Sequence, residues 1–109
     1  MDGQGALVVL VTAPTQERAA EIARALVEER LAACVNLVPG LRSIYRWEGE
    51  ISDDPEVLCL VKTTDEVWER LRARVVALHP YETPEIIALP VAAGHDPYLA
   101  WLRDAVAVK

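Results

Sequence analysis

The first third of the chain combines an apolar run with an amphipathic helical pattern. Residues 7–11 (LVVLV) are continuous and rich in β-branched side chains, which predicts a strand covered on both faces. Thr15 then offers an N-cap. Apolar residues recur at helical spacing as far as Leu31, with charged residues between them. The pattern therefore predicts a helix from Thr15 to Leu31.

Two extended segments follow, joined by a tight turn. Residues 33–47 alternate like a strand and are interrupted at Pro39-Gly40. Because proline cannot donate to a ladder, this segment is predicted to be an edge strand with a bulge at that point. Glu48-Gly49 is a two-residue turn, and a second strand is predicted from Glu50 to about Thr63. We call this hairpin, residues 33–64, the hairpin arm.

The rest of the chain predicts two helices separated by a loop and a short strand. Thr64 or Asp65 caps the second helix, whose inward positions are Trp68, Leu71, Val75 and Leu78. Residues 79–84 contain two prolines and form a loop, because a residue before proline is disfavoured in the helical region. A short strand over residues 85–90 follows.

Asp96-Pro97 begins the third helix, with Asp96 as N-cap and proline at the first position. One face of that helix is predicted to hold Tyr98, Trp101, Leu102 and Ala105. The resulting order, βαββαβ plus a C-terminal helix, predicts an α/β (α+β) fold of the ferredoxin-like, split βαβ type. The chain contains no linker or repeat, so residues 1–109 are predicted to form one domain.

The hairpin arm is too long for its own helices to cover. A helix of about 17 residues spans roughly 25 Å, whereas a strand of about 15 residues reaches roughly 50 Å. If Trp47 pairs with Glu50, then Tyr45 and Trp47 point to one face of the ribbon, and Ile44 and Ile51 point to the other. A ribbon with apolar groups on both faces needs a cover. It either folds back on its own domain or, as we favour, is covered by another subunit.

Composition and charge exclude some classes of partner. The net charge is −6 and the basic residues are dispersed among acidic ones, so neither nucleic acid nor an anionic membrane surface is an expected partner. The apolar run at residues 6–13 is too short to span a bilayer and lacks a preceding cationic stretch, so it is not a signal peptide. With two cysteines, Cys34 and Cys59, no disulfide framework is indicated. These features predict a cytoplasmic protein.

Several motifs resemble one known family. They are Leu31-Ala32-Ala33-Cys34-Val35-Asn36, Pro39-Gly40, Ser43, Tyr45, Trp47-Glu48-Gly49, Ile51, Lys62-Thr63, His79-Pro80-Tyr81-Glu82-Thr83-Pro84-Glu85-Ile86, Tyr98-Leu99 and Trp101-Leu102. In order and spacing, over roughly residues 7–103, they resemble the CutA divalent-ion-tolerance family.

The resemblance implies a ferredoxin-like fold, an interlocked homotrimer in which neighbouring hairpins extend one another's sheets, and a function in tolerance of copper and other divalent cations. Some members bind copper, and certain members have a second histidine before the one matched by His79 and a cysteine in the first strand. Those positions are Leu78 and Val11 here. An alternative function is that of a trimeric scaffold or signalling protein that binds a small molecule or a partner in clefts between subunits.

His79 is the candidate metal ligand, because copper and similar ions prefer imidazole and thiolate. It ends the second helix in a polar loop, where the ring is expected to reach solvent or a neighbouring subunit. Its alternative function is to cap that helix and fix the start of the loop. Cys34 and Cys59 are predicted to face Thr63 and Val38 across the hairpin. At that register the two cysteines are too far apart to form a disulfide. Both are therefore expected to act as small buried hydrophobic groups.

A cleft between subunits is the other candidate site. Its predicted lining is Trp47, Lys62, His79, Tyr81 and Glu82, and aromatic residues there are also natural interface anchors. Glu82 and Glu85 raise the possibility of paired acid–base catalysis. However, no nucleophile with an adjacent base and no glycine-rich phosphate loop accompanies them. We therefore expect that the protein is not an enzyme.

Overall fold

The computed structural model describes residues 3–107. The strands are β1 (Ala6–Ala13), β2 (Cys34–Trp47), β3 (Glu50–Thr64) and β4 (Ile86–Pro90). The helices are α1 (Gln16–Glu28), α2 (Trp68–Leu78) and α3 (Asp96–Val106), and one 3₁₀ turn, Asp65–Val67, leads into α2. All four strands form one antiparallel sheet in the order β2-β3-β1-β4. This is the predicted split βαβ arrangement.

Helix α1 packs on one face of the sheet beside α2. Alternate residues of β1 and β3, including Val9, Val11 and Val61, point to this face and are fully buried. They pack against Leu26 of α1 and Leu71 of α2 in a single apolar core. The period of two along a strand places the neighbouring side chains on the opposite face.

That opposite face is covered only at one end. Leu99 and Leu102 of α3 pack there against Ala6 of β1. Farther along the sheet the same face consists of aliphatic side chains in register across three strands, and Ile87 and Leu89 of β4 are exposed. We call this surface the open sheet face; its residues are Val8, Leu10, Leu58, Leu60, Ile87 and Leu89.

The hairpin arm projects beyond the sheet as predicted. Strand β1 pairs with β3 only from Val57 to Thr64, so residues 41–56 of the hairpin have no third strand beside them. We call residues 41–56 the arm tip. Trp47 pairs with Glu50, and the turn residues Glu48 and Gly49 both have positive φ angles, of 49° and 80°. Such a two-residue turn matches the right-handed twist of the strands.

The predicted bulge lies at Pro39-Gly40, and it changes the register predicted for the cysteines. Two residues of β2 lie between Val38 and Leu41, whereas one residue of β3 lies between their partners Leu58 and Glu56. Cys34 therefore faces Lys62 rather than Thr63, and Cys59 faces Leu37 rather than Val38. Both thiols are free, as expected.

Helix α1 is shorter than predicted at its C-terminus. It ends at Glu28, and Arg30 adopts a left-handed conformation with φ 59°. The Leu31 N–H donates to the Leu26 carbonyl at 2.9 Å and the Arg30 N–H to that of Val27 at 3.2 Å, which is the Schellman pattern. Leu31 is buried although it lies in this turn and not in the helix. Because Leu31 is apolar, the helical pattern in the sequence continued past the residue where the helix ends.

Helices α2 and α3 also differ from the prediction in detail. The 3₁₀ turn delays α2 to Trp68, and α3 begins at Asp96 with His95 as its N-cap. The buried residues of α3 are Leu99, Leu102 and Val106, whereas Tyr98 and Trp101 are 43% and 49% exposed. On the face predicted to hold Tyr98, Trp101 and Leu102, only Leu102 of these three is therefore buried, and both aromatic residues are exposed. Their rings instead contact each other, with centroids 5.5 Å apart.

Thr63 connects the core strand β3 to the turn after α1. Its side chain is fully buried, and Oγ1 donates to the Leu31 carbonyl at 2.7 Å. We expect Thr63→Val to lower the free energy of unfolding by about 1–3 kcal/mol, because the buried carbonyl loses its hydroxyl partner. Denaturant unfolding at a fixed protein concentration measures this loss. Thr64→Val is the matched control, since Thr64 is also buried but its side chain makes no capping hydrogen bond. Equal losses in the two variants would contradict the assignment.

Candidate functional site

A cleft lies between the arm tip and the loop that follows α2. Its volume is about 660 Å³, which is within the usual range of small-molecule sites. Strand β2 and the β2–β3 turn supply one wall, β3 and β1 supply one residue each, and residues 81–85 supply the other wall. The lining consists of Thr12, Ser43, Ile44, Tyr45, Trp47, Glu48, Glu56, Tyr81, Glu82, Thr83 and Glu85.

Tyr81 connects the two walls of the cleft. Its Oη donates to Glu56 Oε2 at 2.8 Å, and Glu56 is only 9% exposed at the base of the arm tip. Burial, followed by the hydrogen bond to Glu56, raises the pKa of the Tyr81 phenol well above its ordinary value. The phenol is therefore held protonated as a donor, and it joins the loop to the sheet.

A second tyrosine makes a similar contact within the arm tip. Tyr45 Oη donates to Asp54 Oδ2 at 2.8 Å. This hydrogen bond, with a smaller contribution from burial, raises the pKa of Tyr45. On the other face of the ribbon, Arg42 and Asp53 form a bidentate ion pair at 2.7 and 2.8 Å, which lowers the pKa of Asp53. Both contacts restrain the exposed ribbon that forms the cleft wall.

His79 is buried beneath the cleft and does not reach solvent, contrary to expectation. The residue is 7% exposed. Its Nε2 lies 2.7 Å from the Thr12 carbonyl oxygen, and its Nδ1 accepts a hydrogen bond from the Tyr81 backbone N–H at 3.1 Å. A carbonyl only accepts and an N–H only donates, so the ring is the neutral Nε2–H tautomer. Its backbone N–H also donates to the Val75 carbonyl at 2.9 Å. The alternative function of His79, capping α2 and fixing the loop, is confirmed.

The other predicted site residues separate into two groups. Trp47, Tyr81 and Glu82 line the cleft, as does Glu85. Lys62 does not: it lies toward the far end of β3, opposite Cys34, and its ammonium group contacts the Asn36 side chain. Lys62 follows Glu56 by six positions along an extended strand, a span of roughly 20 Å. Within one chain Lys62 therefore has no place in this cleft.

Glu56 is the site residue that the sequence interpretation missed. It immediately precedes the buried run Val57–Val61, and a carboxylate next to such a run is an available signal of a buried polar contact. Its partner Tyr81 is 25 residues away in sequence. Only the folded sheet shows that the two side chains meet.

The residues near His79 do not fit a copper ion held by one chain. Both ring nitrogens already have backbone partners, and Val11, at a position where some members have cysteine, is fully buried and aliphatic. Burial raises the pKa of the Cys59 thiol to about 11, and the thiolate form is the one that binds metals. Within residues 3–107 no group of three or more histidine, cysteine, aspartate or glutamate side chains is arranged to hold a metal ion.

The fold and the cleft place this chain among small split βαβ proteins with a projecting hairpin. More narrowly, it belongs to the CutA1 family: the sequence model described as "CutA1 divalent ion tolerance protein" matches residues 7–105. The divalent-cation tolerance protein CutA of Thermus thermophilus is 63% identical over 97 residues, covering 89% of this chain and 94% of that protein. Protein CutA of Homo sapiens is 54% identical over 94 residues, covering 86% of this chain and 52% of that protein.

Solved structures agree with the family assignment. The divalent cation tolerance protein CutA1 from Thermus thermophilus superposes with a TM-score of 0.91 at 60% identity, covering 94% of this chain and 99% of that chain. The CutA of Archaeoglobus fulgidus, described as a periplasmic divalent cation tolerance protein, gives a TM-score of 0.91 at 39% identity, covering 94% and 99%. Among the described residues of this chain, no helix has the length and apolar character needed to cross a membrane.

The raised pKa of the Tyr81 phenol makes the stability of the fold depend on pH in the alkaline range. Its folded-state pKa lies above the unfolded value of about 10. Tyr81 therefore stabilises the fold fully below about pH 10, and this contribution is lost as the pH rises through the folded-state pKa. In an alkaline titration followed by tyrosinate absorbance, we expect Tyr81→Phe to remove the last step of the curve.

Tyr98→Phe is the control for that titration. The pKa of Tyr98 is also raised, mainly by burial, but Tyr98 has no carboxylate acceptor comparable to Glu56 among residues 3–107. Its removal is expected to delete an earlier part of the curve. A last step that survives Tyr81→Phe would show that the Tyr81–Glu56 hydrogen bond does not hold the phenol protonated.

Proposed function

We propose that this protein contributes to divalent-cation tolerance as a homotrimer, and that it acts through the cleft rather than through a copper ion held by one chain. The observation that carries this proposal is the amount of apolar surface that the chain leaves uncovered. Family membership supplies the cellular function. The arrangement of the arm, the open sheet face and the cleft supports the mode of action.

The arm tip shows why a single chain is incomplete. Ile44 and Ile51 are 65% and 63% exposed on one face of the ribbon, and Tyr45 and Trp47 are exposed on the other. The open sheet face adds Ile87 and Leu89. Exposed apolar surfaces of this extent mark interaction sites, and a projecting strand pair presents free edges for pairing. The resemblance to trimeric family members supports two further copies of the chain as the cover.

A change confined to the arm tip tests the assembly. We expect Ile44→Ser with Ile51→Ser to weaken trimer formation by at least roughly 100-fold, because two large aliphatic groups per chain lose their burial, at about 1.5–3 kcal/mol each. Light scattering over a range of concentrations measures this effect. Val76→Ser is the control, since Val76 is an exposed aliphatic residue on α2, away from the arm. Wild-type protein that scatters as a monomer at micromolar concentration would refute the proposal.

Copper binding through His79 is the alternative within the same function, and calorimetry distinguishes it. Because both ring nitrogens are engaged, we expect any copper binding by the wild-type protein to survive His79→Gln. His95→Asn serves as the control, since His95 is exposed and available for incidental binding. Stoichiometric binding that is lost in a folded His79→Gln variant and kept in His95→Asn would establish His79 as a ligand.

The second candidate function is a trimeric scaffold or signalling protein that recognises a small molecule or partner. The cleft favours it, because three aromatic rings and several acceptors converge there. We propose binding rather than catalysis, since Glu82 and Glu85 line the cleft with no nucleophile–base pair beside them in residues 3–107. We also propose a cytoplasmic location, which the two free thiols support.

A further inference from the structure

We propose that the cleft binds a small organic cation, an ammonium or guanidinium group carried on a short apolar body. This inference rests on the proposed function, in which the cleft is the binding site. It goes further by assigning the chemical class of the ligand. It follows from four properties of the cleft: the charge of its lining, its aromatic rings, its volume and the carboxylate of Glu56.

The charge of the lining has a single sign. Four glutamates line the cleft: Glu48, Glu56, Glu82 and Glu85. No lysine, arginine or histidine is among the lining residues. A concave surface with one sign of charge concentrates the opposite sign. The cleft therefore selects against anions such as phosphates and carboxylates, and it attracts cations.

The aromatic content indicates an organic cation rather than a metal ion. Tyr45, Trp47 and Tyr81 form part of both walls. The faces of such rings attract ammonium and guanidinium groups, and tryptophan does so most strongly. Hard metal ions instead require several oxygen ligands around one point, and no such group is arranged within residues 3–107. A volume of about 660 Å³ also exceeds what an ion needs.

Glu56 supplies a prepared acceptor in the cleft. It is more than nine-tenths buried, and Tyr81 Oη holds its Oε2 at 2.8 Å. Its Oε1 makes no hydrogen bond to any other side chain or backbone group in residues 3–107. Among residues 3–107 the one buried side-chain nitrogen or oxygen without a partner is Arg103 Nη1, so Glu56 Oε1 is accessible to solvent. A charged N–H donor from a ligand can therefore reach Oε1 and form a strong hydrogen bond with it.

Agmatine is a suitable probe, since it carries a guanidinium and an ammonium group on a four-carbon chain. Two other compounds with four-carbon chains act as ligand controls: uncharged 1,4-butanediol and the dianion succinate. In calorimetry on the wild-type protein, we expect agmatine to bind saturably and the two control compounds not to bind. Light scattering measures the oligomeric state of the same protein separately. Comparable binding of succinate would overturn the inference.

Charge-neutral variants locate the site. Glu82→Gln with Glu85→Gln removes two exposed carboxylates from the cleft, and we expect at least roughly tenfold weaker agmatine binding. Glu21→Gln with Glu66→Gln changes the net charge equally outside the cleft and is expected to alter binding less than about twofold. Equal weakening of agmatine binding by the two double variants would show that binding depends only on net charge. That result would refute a specific site in the cleft.

The result also separates this inference from the proposed assembly. A stable trimer that fails to bind agmatine, for instance because a second copy fills the cleft with its own side chain, overturns the inference and leaves the assembly intact. A monomer that binds agmatine at the cleft overturns the assembly and supports the ligand class. Agmatine binding by the trimer that is several-fold weaker in Trp47→Leu supports both.

Discussion

The antiparallel pairing of β2 with β3 continues past the end of β1, and the other notable features depend on it. From Leu41↔Glu56 to Trp47↔Glu50, no third strand pairs with the hairpin among residues 3–107. Backbone hydrogen bonds alone leave a two-stranded ribbon marginally stable. The ribbon is restrained by side-chain contacts, the Arg42–Asp53 ion pair and the Tyr45–Asp54 hydrogen bond. Its apolar side chains are exposed on both faces of the ribbon.

The same projection creates the cleft. The arm tip forms a wall only because the loop after α2 is held against the sheet opposite it. Two contacts hold the loop: His79 joins it to β1 through the Thr12 carbonyl, and Tyr81 joins it to β3 through Glu56. The two rings also contact each other, with centroids 4.7 Å apart. The neutral His79 ring thus has a positioning function, which explains why a histidine at this point in the chain is buried.

Membership of a divalent-cation tolerance family and the chemistry of this chain point to different modes of action. Tolerance suggests a metal ligand, yet both ring nitrogens of His79, the candidate ligand, already have backbone partners. Leu78 and Val11 occupy the positions where the family resemblance implies further ligands. The acidic, aromatic cleft is where acceptor groups converge instead. A protein can affect the handling of cations without holding one as a resident cofactor. The cleft is therefore the place where we propose that the protein binds a ligand.

Local patterns were sufficient for much of the fold. The element order, the Trp47–Glu50 pairing and the position of the bulge all follow from residues close in sequence, because turn geometry and proline chemistry act over a few residues. The two-faced apolarity of the arm tip followed from the period of two along a strand. None of these features required knowledge of how distant elements pack.

The tertiary structure decided the rest. Packing sets the distances between residues that are far apart in sequence, and it decides which side of each helix is buried. Contact with Ala6 buries Leu99 and Leu102 of α3, whereas Tyr98 and Trp101 are exposed. Within one chain the length of β3 places Lys62 away from the cleft, whereas the folded sheet brings Glu56 to Tyr81. The sequence by itself determined that the arm carries apolar side chains on both faces. Only the three-dimensional packing showed that its base forms an acidic, aromatic cleft.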